Sequence, residues 1–312
     1  MTHPTRLCFV LLLLLLGASG VSARAQTVDP AWRAAVVRVE ASVDPTSGGP
    51  DLLRELSSPR VLTPFEGELL RRLRMGAVGT GFFITKSGYL VTNAHVVLSG
   101  VRYRKLRFTD DQWDTMAALL TTFRSLWVTV GEGKGARDYL ATPVVVSEDF
   151  DLAILKVQLP PRQTGDFAFL PLAKSSAVKV GDAVSTLGFP HYEFQFSKGR
   201  VLALVYGHKV HEEMQLVQSV DPVTGEKVTT VSGQAGGPLM RFQHNAPTGH
   251  GSSGGPLLDP QGRVIGVAYA LLSETSAEGS TSMRTDLNLG IVSDVLARLL
   301  RQNGLPFTEA AP

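Results

Sequence analysis

The chain has 312 residues, of which 44% are hydrophobic and 19% charged, and its 30 Lys and Arg against 28 Asp and Glu give a formal net charge of +2. This near-neutral balance excludes a nucleic-acid-binding protein that depends on a basic surface. The length and apolar content suit one large two-lobed domain, or two small ones, with a substantial core.

The first 25 residues have the layout of a secretory signal peptide. Basic Arg6 precedes the apolar run at 7–16, and small residues then end in Ala-Arg-Ala at 23–25. The 10 residues of that run are about half of the roughly 20 that a membrane-spanning helix needs. We predict cleavage after Ala25 and an exported chain, periplasmic or secreted, with no stable membrane span. An uncleaved anchor helix is the alternative.

Cleavage would remove the single cysteine, Cys8, together with Arg6 and Arg24, which leaves 28 basic residues against 28 acidic ones. The mature chain would therefore be neutral and would have to be stable without a disulfide in an oxidising compartment. Its stability is expected to come from a hydrophobic core.

The segment before the first strong strand has a mixed pattern. The β-branched residues of AAVVRVEAS at 34–42 favour a strand, although AWRAAVVRV at 31–39 can also be interpreted as a helix. Residues 43–58 contain DPTSGGPD, whose Pro, Gly, Ser and Asp content predicts a loop or linker. The basic cluster RRLR at 71–74 predicts the solvated face of a helix rather than a phosphate or lipid site.

From about Gly79 onward, short β-rich runs alternate with Gly, Pro, Asn and Asp, as in GTGFFIT, GYLVTN, LWVTV, DLAILKV and GRVIGVAYALL. Many short strands with turn signals predict an antiparallel sandwich or barrel. Helical patterns interrupt the strands at 110–126 and at 293–303, the second with Ser293 as N-cap and Gly304 as the stop. The predicted fold class is all-β with a C-terminal helix.

Ser253, in GHGSSGGPL, is predicted to lie on a tight glycine turn that leads into a strand. Glycines permit unusual torsions, so the backbone N–H groups of Gly251 and Ser253 can converge on a developing oxyanion. A serine hydroxyl also needs a base, and the base needs an acceptor that fixes its tautomer. His95 in GYLVTNAHVV and Asp151 in DLAILKV are the candidates for these two roles.

The rival nucleophile is Ser252, but the spacing to the two glycines that follow favours Ser253. GSSGG also fits the G-x-S-x-G elbow of α/β-hydrolases, which would predict an esterase. That reading requires a histidine after the serine, and the last histidine is His250. HEEMQ at 211–215 places Gln215 where a zinc protease has its second histidine, so we predict no metal site and no cofactor.

Three blocks of this sequence, GTGFFITKSGYLVTNAHVV, DLAILKV and GSSGGPLLDPQGRVIGV, resemble the signature blocks of trypsin-like serine peptidases in the HtrA/Deg-like bacterial branch. The resemblance covers roughly residues 28–303. It implies that residues 26–312 form a chymotrypsin-like fold of two six-stranded antiparallel β-barrels. The first barrel would span about 26–165 and the second about 166–292, with a closing helix at 293–303.

The resemblance also implies a His95-Asp151-Ser253 triad in the cleft between the barrels and protein or peptide substrates, cleaved through an acyl-enzyme. An envelope role in quality control or processing and, by analogy alone, a homotrimer would follow. HtrA-like proteases usually carry PDZ domains after the protease, and none is expected here because the chain ends after the closing helix. The usual Asn before the nucleophile is replaced by Ser252.

In trypsin-like proteases the residue six before the nucleophile forms the floor of the primary specificity pocket, and here it is Pro247. Because Pro247 carries no charge, we expect no strong preference for cleavage after Lys or Arg. The predicted wall residues Tyr269, Ala270 and Leu271 favour small or medium apolar side chains. The alternative function is a protease-fold binding or chaperone-like module with little or no catalysis.

Overall fold

The computed structural model describes residues 28–44, 46–99, 108–210, 214–221, 223–233, 236–275 and 281–311, and for 270–275 and 281–287 it describes the backbone alone. The predicted leader and its cleavage site at Ala25 lie outside this part of the chain. No helix in these ranges is long and apolar enough to cross a membrane.

The described chain contains six α-helices and fourteen strands. The helices are α1 Pro30–Ala35, α2 Gly49–Leu56, α3 Pro64–Arg74, α4 Ala94–Val97, α5 Asp110–Phe123 and α6 Ser293–Gln302. The strands are β1 Val36–Val43, β2 Ala77–Phe83, β3 Tyr89–Thr92, β4 Arg124–Val130, β5 Arg137–Ser147, β6 Leu152–Val157, β7 Ala183–Gly188, β8 Gln195–Tyr206, β9 Gln215–Val220, β10 Lys227–Ser232, β11 Leu239–His244, β12 Pro256–Leu258, β13 Val264–Thr275 and β14 Thr281–Val292.

Two closed antiparallel barrels of six strands each form the fold. The first has the strand order β1-β2-β3-β6-β5-β4 and the second β11-β14-β13-β12-β7-β8, while β9 and β10 form a separate two-stranded sheet. Closure pairs the strand edges that an open sheet would leave free. The predicted double six-stranded barrel with a helix after its last strand is confirmed.

The two barrels are packed against each other through a shared apolar core. Phe82 and Ile154 of the first barrel belong to the same buried cluster as Phe242 and Leu257 of the second. A separate buried cluster fills the remainder of the first barrel and extends under α3 and α5 through Leu69, Trp113 and Met116. Groups on opposite sides of the cleft are therefore held by one continuous packing unit.

The segment before β2 departs in part from the sequence predictions. The predicted strand at 34–42 forms as β1, preceded by the short helix α1. The loop predicted at 43–58 is wrong over α2, because Pro50 occupies the first turn of that helix, where its missing N–H costs nothing. Leu56 of α2 is buried against the first-barrel core, and this tertiary packing outweighs the turn-forming composition.

The RRLR cluster lies on α3, as predicted, but it is not a fully solvated face. Arg72 is only 1% exposed, because its Nε lies 2.7 Å from Glu68 Oε1 and its guanidinium stacks 5.0 Å from the Trp113 ring centre. Arg71 also bonds Glu68, at 2.6 Å. The helix starts with a capping box between Thr63 and Glu66.

Arg124, at the start of β4, connects α3 to α4. Its buried guanidinium donates to the Met75 carbonyl at 2.7 Å and the Val97 carbonyl at 3.2 Å, and also to the Arg72 carbonyl and the Ser99 hydroxyl. Burial, aided by the nearby charge of Arg72, lowers the pKa of Arg124 to about 10. The carbonyl ends of both helices are thus satisfied by one cation.

The closing helix α6 differs from prediction at its first residue. Val292 is the N-cap, and Ser293 is already helical, with its hydroxyl donating to the Ala173 carbonyl at 2.6 Å. Ser175 instead accepts the backbone N–H of Asp294 at 3.0 Å. Gly304 follows the helix with a φ of +62°, as expected for a helix stop.

Candidate active site

His95 and Asp151 are brought together in the first barrel. His95 lies on the short helix α4 directly after β3, and Asp151 directly precedes β6, the neighbour of β3. Nδ1 of His95 lies 2.8 Å from one carboxylate oxygen of Asp151, and the backbone N–H of His95 donates to the other at 3.0 Å. The carboxylate thus fixes both the ring and the backbone of the histidine.

The backbone of Asp151 is held in an unusual conformation. Its φ is +48°, a left-handed value that is uncommon outside glycine. Its N–H donates to the Glu148 carbonyl at 3.1 Å, and its carbonyl accepts Nδ2 of Asn93 at 2.8 Å. Asn93, two residues before His95, therefore also fixes the residue that orients His95.

The electrostatics of this pair favour a charged imidazole. Burial disfavours the charged form of His95, but the negative charge and the hydrogen bond of Asp151 outweigh that effect and raise the pKa of His95 above its usual value. Asp151 itself is only 1% exposed, whereas the His95 side chain is 21% exposed. The exposed part of the ring leaves the histidine open to exchange a proton with a neighbouring group.

Ser253 lies on a turn that only glycine neighbours can form. Gly251 and Gly254 have φ values of +101° and +86°. A Cβ on Gly251 would lie 2.5 Å from the Phe189 carbonyl oxygen, and one on Gly254 would lie 2.2 Å from the Thr80 carbonyl oxygen. Both left-handed torsion and close backbone approach therefore require glycine at these two positions.

The backbone N–H groups of Gly251 and Ser253, predicted to bind an oxyanion, donate to no protein acceptor within the described ranges. Among the same residues no hydrogen bond joins His95 to Ser253. Ser253 is half-buried, and Ser252 is 5% exposed with its hydroxyl accepting the Gly249 N–H at 3.2 Å. The Ser252 hydroxyl is thus engaged within the turn.

A cavity of about 200 Å³ opens beside Ser253. Tyr269, a predicted pocket residue, lines it, together with residues that the sequence analysis did not single out, chiefly Thr248, Ala268 and Leu289. Pro247, predicted as the pocket floor, is exposed and is not among the described residues that line the cavity. The side chains of Ala270 and Leu271 lie outside the described part of the chain.

The residues that sequence reasoning missed come from three separate parts of the chain. Thr248 follows β11, Ala268 lies in β13 and Leu289 in β14. Thr248 directly follows Pro247, so counting five residues back from Ser253 instead of six would have identified it. Nothing in the sequence around Leu289 indicates a pocket residue, because an apolar residue in a strand most often belongs to the hydrophobic core.

Of the other histidines in the described ranges, His250 lines the cavity beside Ser253, whereas His244 does not. His244, in β11, is fully buried, and burial lowers its pKa to about 3. His211 of the HEEMQ segment lies outside the described residues. No group of three or more His, Cys, Asp or Glu among the residues that were described could hold a metal ion.

Comparison with known proteins gives a family and a fold. A family model described as a trypsin-like peptidase domain matches residues 79–267. The chain is 28% identical over 231 residues to a probable periplasmic serine endoprotease DegP-like of Rhizobium meliloti, covering 74% of this chain and 34% of that protein. It is 28% identical over 253 residues to the magnetosome formation protease MamE of Magnetospirillum gryphiswaldense, covering 78% of this chain and 25% of that protein.

The chain therefore spans about a third or less of the length of these relatives. Among solved structures it is similar to an HtrA-type protease, AlgW, with a tripeptide, at a TM-score of 0.51 and 17% identity. That similarity covers 86% of this chain and 60% of the other. At this identity it supports the double-barrel fold.

Proposed function

The chain belongs to the trypsin-like peptidase family, in its HtrA-type branch, and from that premise we propose that it is a serine endopeptidase with Ser253 as nucleophile. The observation that carries the proposal is the Asp151–His95 pair, in which one buried carboxylate accepts both the ring Nδ1–H and the backbone N–H of the histidine. A base held in a fixed tautomer is what a serine hydroxyl requires.

In the proposed mechanism, Ser253 Oγ attacks the carbonyl carbon of a peptide bond while His95 Nε2 accepts the hydroxyl proton. Asp151 stabilises the resulting imidazolium, and the N–H groups of Gly251 and Ser253 stabilise the oxyanion. His95 then protonates the leaving amine, the C–N bond breaks and an acyl-enzyme remains. Water, deprotonated by His95, attacks the ester and releases the carboxylic acid and free Ser253.

The choice of Ser253 over Ser252 is supported by their surroundings. Ser252 is buried and its hydroxyl is occupied by the Gly249 N–H. Both serines line the cavity beside the turn, but Ser253 is only half-buried. A nucleophile must reach substrate, so the more open hydroxyl is the better candidate.

The cavity beside Ser253 supports a preference for small or medium apolar side chains before the cleaved bond. Its volume of about 200 Å³ would hold one such side chain, and Thr248, Ala268 and Leu289 bring no charge to it. None of these three residues offers a carboxylate to a lysine or arginine side chain of the substrate. Such a side chain would therefore lose its hydration in the cavity without gaining an ion pair with them.

We further propose that the enzyme acts in the cell envelope, in quality control or processing of exported proteins. The leader-like first 25 residues and the periplasmic designation of a DegP-like relative support this location. A trimer, which is common among HtrA proteases, is proposed by analogy alone.

The test is labelling with a fluorophosphonate followed by peptide mass spectrometry. We expect one adduct on Ser253 in the wild-type protein, none in Ser253→Ala or His95→Ala, and an unchanged adduct in the matched control Ser252→Ala. Turnover of a denatured protein substrate should fall by about a million-fold in Ser253→Ala. A folded wild type that resists the probe would overturn the proposal and favour a binding module.

A further inference from the structure

Thr80, in β2, makes hydrogen bonds that span both barrels. It is fully buried, and its backbone N–H donates to the Ser253 carbonyl at 2.8 Å. Its hydroxyl donates to the Gly251 carbonyl at 2.6 Å and accepts the Phe189 N–H at 2.9 Å. A first-barrel side chain thus contacts two second-barrel segments at once.

The hydroxyl of Thr80 has a fixed hydrogen-bond direction. A hydroxyl has one proton to donate, and the Gly251 carbonyl can only accept, so that proton is committed to it. The Phe189 N–H can only donate, so it donates to a lone pair of the Thr80 hydroxyl oxygen. Both partners are backbone groups, and a hydroxyl that donates and accepts at this point is needed to satisfy both.

The same turn also orients the two amides proposed to bind the oxyanion. The His191 N–H donates to the His250 carbonyl at 3.0 Å, and the Gly255 N–H donates to the Ser252 carbonyl at 3.0 Å. Because a trans peptide is planar, its N–H points opposite to its carbonyl. Holding those two carbonyls therefore turns the N–H groups of Gly251 and Ser253 the other way, free of protein acceptors.

The segment that holds the His250 carbonyl is itself strained. His191 and Tyr192 have φ values of +52° and +71°, and neither is glycine. This strained turn begins at Phe189, whose N–H is fixed by the Thr80 hydroxyl. Gly188 precedes it, and a Cβ there would lie 2.9 Å from that hydroxyl. Thr80 thus anchors both the nucleophile turn, at Gly251, and the turn that supports it.

We propose that Thr80 is a positioning residue that fixes the amides of Gly251 and Ser253 for the oxyanion. The inference rests on the proposed function, because an oxyanion forms only if Ser253 attacks a carbonyl. It adds a residue of the first barrel, outside the triad, to the machinery of the reaction.

The test compares Thr80→Val, which keeps the shape of the side chain but removes the hydroxyl, with Thr80→Ser, which keeps the hydroxyl. We expect kcat to fall about ten-fold or more in the valine variant with KM nearly unchanged, and to recover in the serine variant. The acid limb of kcat/KM should not move, because the His95–Asp151 pair is untouched.

A matched control is Thr230→Val, since Thr230 is also buried and its hydroxyl donates to the Val217 carbonyl in the β9–β10 sheet, at 3.3 Å. It should keep the wild-type kcat. A peptide boronic acid, whose tetrahedral adduct reaches the oxyanion position, should lose the same affinity factor as kcat in Thr80→Val. A non-covalent product peptide should bind unchanged.

Wild-type kcat in a folded Thr80→Val would overturn the inference and leave the proposed function intact. Equal losses in Thr80→Val and Thr80→Ser would also overturn it, because packing and not the hydroxyl would then be responsible. An inactive wild type would remove the proposed function and this inference together. Should the valine variant not fold, Thr80→Cys, with a weak donor at the same site, must show the kcat loss.

Discussion

Asp151 accepts two hydrogen bonds from a single residue, His95, one from the ring at 2.8 Å and one from the backbone at 3.0 Å. Replacing Asp151 by Asn keeps the size of the side chain but removes its charge. We expect kcat to fall on the order of 10⁴-fold, the loss known for the equivalent change in other triad enzymes. Asp149→Asn is the control, because Asp149 is exposed and pairs with Lys209.

The same pair sets the pH dependence of the proposed activity. His95 acts as base only when neutral, and its pKa is raised above the ordinary imidazole value of 6.5. Activity should therefore be lost as pH falls through a midpoint above 6.5. In Asp151→Asn the attraction for the imidazolium is gone, so the midpoint of kcat/KM should move to lower pH. A midpoint that stays in place would show that Asp151 does not stabilise the charged ring.

A methyl group on Gly251 should lower turnover strongly. Its φ of +101° disfavours alanine, and the new Cβ would meet the Phe189 carbonyl oxygen at 2.5 Å. The turn must shift, and its amide then leaves the oxyanion position, at a cost of about 10² to 10³ in kcat. Gly225→Ala is the matched control, since Gly225 also has a positive φ but open space around it. Full activity in Gly251→Ala would contradict the assigned oxyanion donor.

Leu289→Ala should widen the cavity beside Ser253. Leu289 is 1% exposed and lines that cavity, so truncation adds room for a larger side chain before the cleaved bond. Proteomic cleavage profiling should show a shift from small residues toward Leu, Met and Phe, with kcat/KM for the larger residues up about ten-fold. Leu296→Ala, which removes a buried leucine of α6, should lower stability similarly but leave the profile unchanged. Predominant cleavage after Lys or Arg in the wild type would contradict the pocket assignment.

His244 should make the fold sensitive to acid. Its pKa is lowered by burial from 6.5 to about 3, so between these values the unfolded chain binds a proton that the folded chain does not. Stability is then lost as pH falls below 6.5, by up to about 1.4 kcal/mol per pH unit. In His244→Leu the urea midpoint should depend less on pH between 6 and 4, whereas the exposed control His250→Leu should follow the wild type. Parallel pH profiles for the wild type and His244→Leu would show that His244 is not the responsible group.

The barrel fold and the His95–Asp151 pair could be predicted because both have local sequence signals. The strands are short β-branched runs bounded by turn residues, and each candidate site residue lies in a characteristic short motif. The glycines around Ser253 likewise predict a turn with unusual backbone torsions, and in the structure Gly251 and Gly254 have positive φ values.

What could not be predicted depends on contacts between distant parts of the chain. Thr80 and Gly251 are 171 positions apart, and nothing around Thr80 in the sequence indicates their hydrogen bond. Arg72 is buried because Glu68 and Trp113 surround its guanidinium, although its neighbours are basic. The α2 helix forms in spite of its turn-like composition because Leu56 is buried against the first-barrel core.

The candidate site is divided between the two barrels, and this division determines the order in which its parts can come together during synthesis and folding. His95 and Asp151 belong to the half of the chain that is synthesised first, whereas Ser253 comes more than 100 residues after Asp151. The bonds from Thr80 to Ser253 and Gly251 form only when the second barrel docks on the first. On the proposed mechanism, a nascent chain would therefore be unable to cleave peptide bonds, and proteolysis would begin only after both barrels have folded.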